Sequence, residues 1–240
     1  MRAAAASVLV AALAAALATT AEAPAVRPGA AACPHRPAAD SSLPGWLRPR
    51  RMTVLVDSVL LGGMPALRSR RPCWRVKMRG RPALMVRIAE QELRGAGRRV
   101  ARLVVVGLGY NSLWERGRRR YRYWAARFDG EARRLLRTLE RLGARQVVWV
   151  TLREPTPRTV PPSARGELGQ YSWYFPYVNE RLRRLDRRRD DLVLADWANV
   201  SRRPGLTYDS IHLNTKGAAL MARTIRDAIS SEGRRQARGP

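Results

Sequence analysis

Short apolar runs recur along the chain from residue 52 onward, and several are unbroken rather than alternating with polar residues. Five of them have the length of strands, at residues 52–56, 73–78, 103–106, 147–152 and 192–195. Unbroken apolar runs are typical of parallel strands that are covered on both faces. The pattern therefore predicts a parallel sheet of roughly five strands.

Between these runs and after the last of them, apolar residues recur at helical spacing in residues 82–93, 132–142, 177–185 and 215–229. Gly143 follows the second of these patterns and favours the end of a helix there. Alternation of strands and helices over residues 51–231 predicts one α/β domain, a three-layer doubly wound sandwich.

Both ends of the chain lack this alternation. Residues 1–23 have the features of a secretory signal peptide: Arg2, an apolar stretch at 8–18, and small residues around Glu22. The stretch is too short and too rich in alanine for a permanent membrane span. We expect a secreted or extracytoplasmic protein, cleaved near Ala23 and without a stable transmembrane segment. We expect residues 24–50, which are rich in Pro and Ala, to form an N-terminal arm, and residues 232–240 to form a disordered tail.

The net charge is +27, and removal of residues 1–23 does not change it, because Arg2 and Glu22 cancel. This charge favours anionic surroundings such as an anionic cell-wall polymer or a lipid surface. Nucleic acid is the generic partner of a basic protein, but export argues against a specific nucleic-acid partner. Arginine greatly outnumbers lysine, as a G+C-rich genome also produces, so the charge alone does not identify a partner.

The two cysteines, Cys33 and Cys73, form an even set in a chain expected to be exported. A disulfide between them is the favoured hypothesis, and two free buried thiols are the alternative. His35 has no carboxylate or histidine partner at ligand spacing, so neither a metal nor another cofactor is predicted.

The candidate chemistry lies where predicted strands end and before the last helix. Asp209 precedes His212 by three residues, so its carboxylate can hold one ring nitrogen while the other takes a proton from a nucleophile. Ser58 follows the first strand, Gly80 the second, and Asn111 the third. Each signal is weak alone, since an Asp-Ser pair is more often a turn or a helix cap. However, these positions converge at one edge of a doubly wound sheet.

Two aromatic-rich segments, 110–128 and 154–176, also follow strand ends. We expect them to form the walls of a substrate cleft, with four aromatic side chains as candidate contacts: Trp114, Tyr171, Trp173 and Tyr174. The alternative is that these rings only pack the loops onto the domain.

Four separated blocks resemble the SGNH (GDSL-like) hydrolases, and most closely the SGNH domains attached to membrane acyltransferases of bacterial cell envelopes. The blocks are Asp57-Ser58-Val59 with Leu61-Gly62, then Gly80, then Gly109-Tyr110-Asn111, and finally Asp209-Ser210-Ile211-His212-Leu213. The chain departs from the family at Val56, where the family has glycine, and at Ser210, where close relatives often have glycine.

The resemblance implies a flavodoxin-like SGNH fold with Ser58 as nucleophile, His212 as base and Asp209 as the acid that orients it. It also implies an oxyanion hole formed by the backbone N–H groups of Ser58 and Gly80 and the side-chain amide of Asn111. A Gly-x-Ser-x-Gly turn is missing around Ser58, which argues against the α/β-hydrolase fold, the other large fold of serine esterases.

The expected function is that of a secreted serine esterase or O-deacetylase. Its substrate would be a small ester or an acylated glycan of the envelope or extracellular space. An O-acyltransferase, a lysophospholipase or a lipase would use the same triad. A different class is a non-catalytic binder of anionic polymers, which would use the Arg-rich aromatic stretch at residues 116–124.

Overall fold

The computed structural model describes residues 50–70, 74–113 and 117–237, without the side chains of residues 118, 170, 171 and 232–237. The expected signal peptide, the arm as far as residue 49, and His35 lie outside the described residues. So do Trp114 and both cysteines with their expected disulfide.

The described residues form one all-parallel sheet of five strands in the order β2-β1-β3-β4-β5, which confirms the predicted fold class. The strands are β1 (Arg51–Val56), β2 (Arg75–Gly80), β3 (Leu103–Gly107), β4 (Gln146–Val150) and β5 (Leu192–Ala195).

Burial explains why the central strands read as unbroken apolar runs. Every residue of β3 and β4 is buried, and β1 is buried from Met52 onward. In contrast, β2 lies at the edge of the sheet and exposes most of its residues. Its apolar signal is therefore weak, and the strand begins at Arg75 rather than at the predicted residue 73.

Eight α-helices occur in the described part of the chain. They are α1 (Ser58–Leu61), α2 (Met64–Ser69), α3 (Val86–Ala96), α4 (Tyr121–Arg141), α5 (Leu168–Tyr171), α6 (Tyr174–Asp186), α7 (Trp197–Val200) and α8 (Thr215–Ala237). Helix α2 packs against α8, whereas α3, α4 and α6 pack side by side. The chain steps towards one edge of the sheet from β1 to β2 and then towards the opposite edge from β2 through β3 and β4 to β5. Because each crossover is right-handed, this reversal places α2 and α8 on one face of the sheet and α3, α4 and α6 on the other.

Three helices, α4, α5 and α6, begin inside the aromatic-rich segments 110–128 and 154–176, ahead of or outside the predicted helical patterns. Helix α4 starts at Tyr121, and its buried residues Ala125 and Phe128 continue the helical spacing of Ala132 and Leu135. Exposed arginines and aromatics between them mask this period. Helix α6 likewise starts at Tyr174.

Helix α8 is longer than its apolar pattern. It runs to Ala237, so residues 232–237, which the sequence assigned to a disordered tail, are helical. No helix in the described part of the chain combines the length and apolar character that a membrane span requires.

The sheet order brings the candidate residues to one edge. Strand β1 lies between β2 and β3, and all three run in the same direction. The segments that follow these strands therefore meet at their shared carboxyl edge, where the strand order reverses direction.

Candidate active site

Ser58 lies directly after β1, at the first position of α1. Asp57 caps this helix, since its Oδ1 accepts a hydrogen bond from the backbone N–H of Val59 at 3.1 Å. The backbone N–H of Asp57 donates to the carbonyl of Gly107 at 3.2 Å, which extends the pairing with β3 to this turn. The capping role thus belongs to Asp57, and the partly exposed Ser58 keeps its hydroxyl for other contacts.

Asp209 and His212 share one tight loop before α8. Residues on both sides of the loop pair as an antiparallel bridge, and Tyr208 donates its backbone N–H to the carbonyl of His212 at 3.1 Å. Inside the loop, Oδ1 of Asp209 accepts the backbone N–H groups of Ile211 and His212 at 2.8 and 2.7 Å. The loop's own backbone therefore fixes the carboxylate.

Three side chains from distant parts of the sequence form a hydrogen-bonded relay. Oγ of Ser58 lies 3.0 Å from Nε2 of His212. Nδ1 of the same imidazole lies 2.7 Å from Oδ2 of Asp209. A carboxylate on Nδ1 favours the tautomer with its proton there, which leaves Nε2 as an acceptor for the serine hydroxyl.

Charge and hydrogen bonds shift the pKa values within the relay. The hydrogen bond to Asp209 raises the pKa of His212 above its ordinary value, although partial burial opposes the shift. Burial would raise the pKa of Asp209, but hydrogen bonds from the imidazole and from two backbone N–H groups hold it below its ordinary value. Both shifts favour an ionised carboxylate beside a basic imidazole.

A second carboxyl group lies next to the relay. Asp57 is fully buried, and burial raises its pKa to about 7, although hydrogen bonds and His212 oppose this. Its Oδ2 accepts a hydrogen bond from Nδ2 of Asn111 at 3.3 Å. This bond orients the Asn111 amide beside the residue that precedes Ser58, and the second N–H of the amide remains available.

Gly80 ends β2 and Asn111 follows β3, the two strands on either side of β1, which are the positions expected of the oxyanion donors. Gly80 is the register partner of Val56, and a Cβ at Gly80 would overlap the Val56 carbonyl oxygen. The side chain must therefore be absent for β2 to approach β1 at this point. Gly109 begins the turn that carries Asn111 and has φ +139°, a conformation that residues with side chains rarely adopt.

The prediction that Tyr174 lines the substrate cleft is wrong. Tyr174 is 1% exposed, and its hydroxyl donates to the carbonyl of Gly109 at 2.7 Å and accepts the backbone N–H of Leu113 at 3.3 Å. It packs the start of α6 beneath the turn that holds Asn111. For Tyr174 the alternative that the sequence left open is therefore correct, because its ring packs a loop onto the domain.

The other cleft candidates are placed only in part. Trp173 is partly buried against the core, with its ring centroid 5.9 Å from that of Tyr174. Tyr171 ends α5, but its side chain, like all of Trp114, lies outside the described atoms. Substrate contact by these three residues stays a prediction.

Tyr208 is a site residue that the sequence did not reveal. Its ring stacks on that of His212, with centroids 5.7 Å apart and an angle of 11° between the planes. At 65% exposure it forms an open aromatic surface beside the imidazole. Its position directly before Asp209 was the available signal, but stacking depends on the hairpin shape of the loop.

The loop of the relay is also linked to a preceding segment. Oγ of Ser210 donates to Oε2 of Glu167 at 3.0 Å, and the negative charge of Glu167 adds to the rise in the pKa of His212. The hydroxyl at Ser210 therefore has a structural partner at a position where close relatives often have glycine.

A buried arginine lies under the same region. Arg153 follows β4 and is inaccessible to solvent; its guanidinium donates to the carbonyls of Ser201 and Thr159 at 2.8 and 2.5 Å. Burial lowers its pKa, and the negative charge of Asp209 opposes that shift. The sequence did not reveal Arg153. Arginines are mostly exposed, and nothing in the sequence distinguishes this one from the many others in the chain.

Among the described residues, no group of three or more His, Cys, Asp or Glu side chains could hold a metal ion. The relay instead has the composition and geometry of a nucleophile, a base and an orienting acid.

No family model matches the chain, and a search of curated proteins finds no match. Solved structures do match. One is the C-terminal catalytic domain of peptidoglycan O-acetyltransferase A from Streptococcus pneumoniae, with a methylsulfonyl adduct. It is 17% identical, with a TM-score of 0.51 over 76% of this chain and 93% of that domain.

Two further structures agree. A GDSL-like lipase from Bacteroides thetaiotaomicron is 15% identical, with a TM-score of 0.56 over 75% of this chain and 88% of the lipase. An acetyl xylan esterase is 13% identical, with a TM-score of 0.54 over 74% of this chain and 98% of the esterase. The chain has the SGNH hydrolase fold. The resemblance that the four sequence blocks suggested is thereby confirmed at the level of the fold, and the SGNH fold covers about three quarters of the chain.

Proposed function

We propose that this SGNH-fold protein is a serine esterase that hydrolyses acyl esters through an acyl-enzyme intermediate. The observation that carries the proposal is the relay, in which Ser58, His212 and Asp209 are joined by hydrogen bonds of 3.0 and 2.7 Å. A serine hydroxyl is a weak nucleophile at neutral pH, and it is activated by a base that takes its proton and by an acid that orients the base.

In the first half of the reaction, Oγ of Ser58 attacks the ester carbonyl carbon while its proton moves to Nε2 of His212. Asp209 stabilises the imidazolium that forms. The tetrahedral intermediate then collapses: the bond to the alcohol oxygen breaks, and that oxygen leaves with the proton from Nε2. An acyl group remains on Ser58.

In the second half, water replaces the alcohol. His212 takes a proton from the water, whose oxygen attacks the acyl carbon, and the proton returns to Oγ of Ser58 as the carboxylic acid leaves. Both tetrahedral intermediates carry a negative oxygen. The proposed donors to it are the backbone N–H groups of Ser58 and Gly80 and the Asn111 N–H that Asp57 does not use.

The proposed substrate is an acylated glycan of the envelope or extracellular space, and the reaction O-deacetylation. Two similar structures are named for acetyl groups on polysaccharides, peptidoglycan in one and xylan in the other. The exposed ring of Tyr208 beside His212 supports this substrate class, because aromatic faces pack well against sugar rings. The net charge of +27 favours an anionic matrix around such a substrate.

Acyl transfer is the second candidate, supported by the similarity to an O-acetyltransferase domain. The same acyl-enzyme would then be attacked by a sugar hydroxyl instead of water.

Export belongs to the proposal as well: residues 1–23 have the pattern of a signal peptide cleaved near Ala23, which would deliver the enzyme to an extracytoplasmic glycan.

The proposal is tested by labelling the full chain with a fluorophosphonate and mapping the adduct by peptide mass spectrometry. We expect the adduct on Ser58 of the folded protein and none after heat denaturation. An acetate-release screen across acetylated polysaccharides then identifies the substrate, and a glycan acceptor in the same assay separates transfer from hydrolysis. Folded protein without an adduct would instead support a non-catalytic binder of anionic polymers.

Replacement of Asn111 by alanine tests the oxyanion hole. We expect kcat to fall by about 10²- to 10³-fold with little change in KM, because the lost hydrogen bond forms mainly in the transition state. The measurement is steady-state release of p-nitrophenol from an acetyl ester. Ser112→Ala is the control, since its hydroxyl is buried next to Asn111, has no hydrogen-bond partner in the described part of the chain and should not contribute. Equal rates in the two variants would remove Asn111 from the oxyanion hole.

The dependence of kcat/KM on pH tests the coupling between Asp57 and His212. A protonated imidazole cannot accept the serine proton, so activity should be lost as the pH falls through the pKa of His212, which Asp209 raises above its ordinary value. Ionised Asp57 contributes to that raised pKa. Asp57→Asn removes the charge, so the midpoint of the acid limb should move to lower pH, whatever happens to the maximal rate. A midpoint that stays in place or rises contradicts this coupling.

A further inference from the structure

A groove of about 500 Å³ lies at the opposite end of the sheet from Ser58. It is lined by the first residues of β1 and β2 and by the segment before β3: Arg51, Met52, Thr53, Arg75, Val76, Lys77, Arg99, Val100 and Ala101. Strand β1 separates it from Ser58 by roughly 20 Å, at about 3.3 Å per residue. The groove is therefore distinct from the candidate active site.

Four of the lining residues are exposed cations: Arg51, Arg75, Lys77 and Arg99. Arg51 is the register partner of Arg75, and Lys77 lies two residues further along β2. Register partners and residues two apart share one face of a sheet, so three of the charges lie together on one face. Among the described residues, none of the four forms an ion pair with a carboxylate.

Protection of the sheet edge accounts for only part of this cluster. Cations on an edge strand prevent pairing with another chain, which explains Arg75 and Lys77 on β2. It does not explain Arg51 on the neighbouring strand or Arg99 in the loop before β3. Like charges directly opposite each other in a sheet repel, so Arg51 and Arg75 cost stability unless an anion lies between them.

The floor of the groove is uncharged and fixed. It contains Val100 and Ala101, which are half-buried, and the hydroxyl of Thr53 accepts the backbone N–H of Ala101 at 3.0 Å, which ties the loop to β1. An uncharged floor with a cationic rim matches a sugar ring that carries an acidic group. The C–H face of the ring contacts the floor, and its carboxylate meets the arginines on the rim.

We propose that this groove binds a segment of an acidic polysaccharide. The ligand is a chain of sugar rings that bear carboxylates, held by Arg51, Arg75, Lys77 and Arg99. Such binding retains the enzyme on an anionic matrix and raises the local concentration of esters on the same matrix. The groove acts without the relay, so the inference does not depend on esterase activity.

The experiment measures binding of a fluorescein-labelled oligogalacturonate, which carries no ester, to the full chain by fluorescence anisotropy. The groove variant replaces the four rim cations with glutamine. The matched control removes the same charge at four exposed arginines that neither line the groove nor form a described ion pair: Arg133, Arg137, Arg187 and Arg223. A double variant, Arg75→Gln with Lys77→Gln, provides a milder change if the fourfold variant does not fold.

We expect the groove variant to lose about 10-fold or more in affinity relative to the control, with a shallower dependence of log Kd on log salt, because fewer counterions are released. The double variant should lie in between, and a neutral dextran oligomer should not bind. Equal losses in the groove and control variants would reduce the effect to net charge and overturn the proposal. Dextran that binds as well as oligogalacturonate, or polyphosphate that binds more tightly, would overturn the assignment to an acidic polysaccharide.

Discussion

Replacement of Ser58 by alanine is expected to lower kcat/KM for an acetyl ester by roughly 10⁴- to 10⁶-fold. The change removes the only atom of the relay that can bond to the acyl carbon, whereas the backbone N–H of residue 58 remains. Substrate binding and part of the oxyanion stabilisation should therefore persist, so the loss appears in kcat rather than in KM. Release of p-nitrophenol measures both constants.

Ser69→Ala is the matched control, because within the described residues this exposed serine at the end of α2 bonds only to the carbonyl of Ala66. It should keep full activity and fluorophosphonate labelling, whereas Ser58→Ala should lose both. If Ser58→Ala hydrolyses the ester as fast as the control, the proposed mechanism fails, whatever the similarity of the fold.

Replacement of Asp209 by asparagine is expected to lower kcat by about 10⁴-fold while the loop keeps its shape. The asparagine oxygen can still accept the backbone N–H groups of Ile211 and His212, as Oδ1 of Asp209 does. The amide nitrogen then faces Nδ1 of the imidazole and donates to it. His212 must carry its proton on Nε2, where it can no longer accept the proton of Ser58.

The tautomer is measurable by ¹⁵N NMR of the imidazole, which should show the proton on Nδ1 in the wild type and on Nε2 in Asp209→Asn. Asp227→Asn is the control, since this exposed carboxylate pairs with Arg226 on α8 and with no other side chain that the structure describes. An Asp209→Asn enzyme that retains more than about a tenth of the wild-type kcat would assign Asp209 a structural role only.

The strands were predictable from the sequence because burial on both faces leaves a direct trace in residue type. The runs 103–106 and 192–195 correspond to β3 and β5 almost residue by residue. The edge strand β2 exposes most of its residues and contains two arginines and a lysine, so its limits were not predictable from an apolar run. The start of α4 was missed because its outer face is charged and aromatic, and only the buried positions carry the helical period.

The meeting of Ser58 with His212 followed from the rule that segments after parallel strands share an edge. The roles of Tyr174 and Tyr208 could not be predicted from the sequence, because each depends on the direction in which a loop points the ring. The segment around Tyr174 is aromatic in either case, as a cleft wall or as core, and only packing against Gly109 distinguishes the two. Stacking of Tyr208 on His212 requires the hairpin that the Thr207–Leu213 bridge closes.

That hairpin has a consequence for how the domain acquires activity. The acid and the base are preassembled by neighbouring peptide groups, whereas the hydroxyl arrives from 154 positions earlier in the chain. The hairpin on its own therefore holds a complete imidazole–carboxylate dyad but no nucleophile. Turnover begins only when the first strand docks against the carboxyl-terminal portion, so catalytic competence reports on completion of folding.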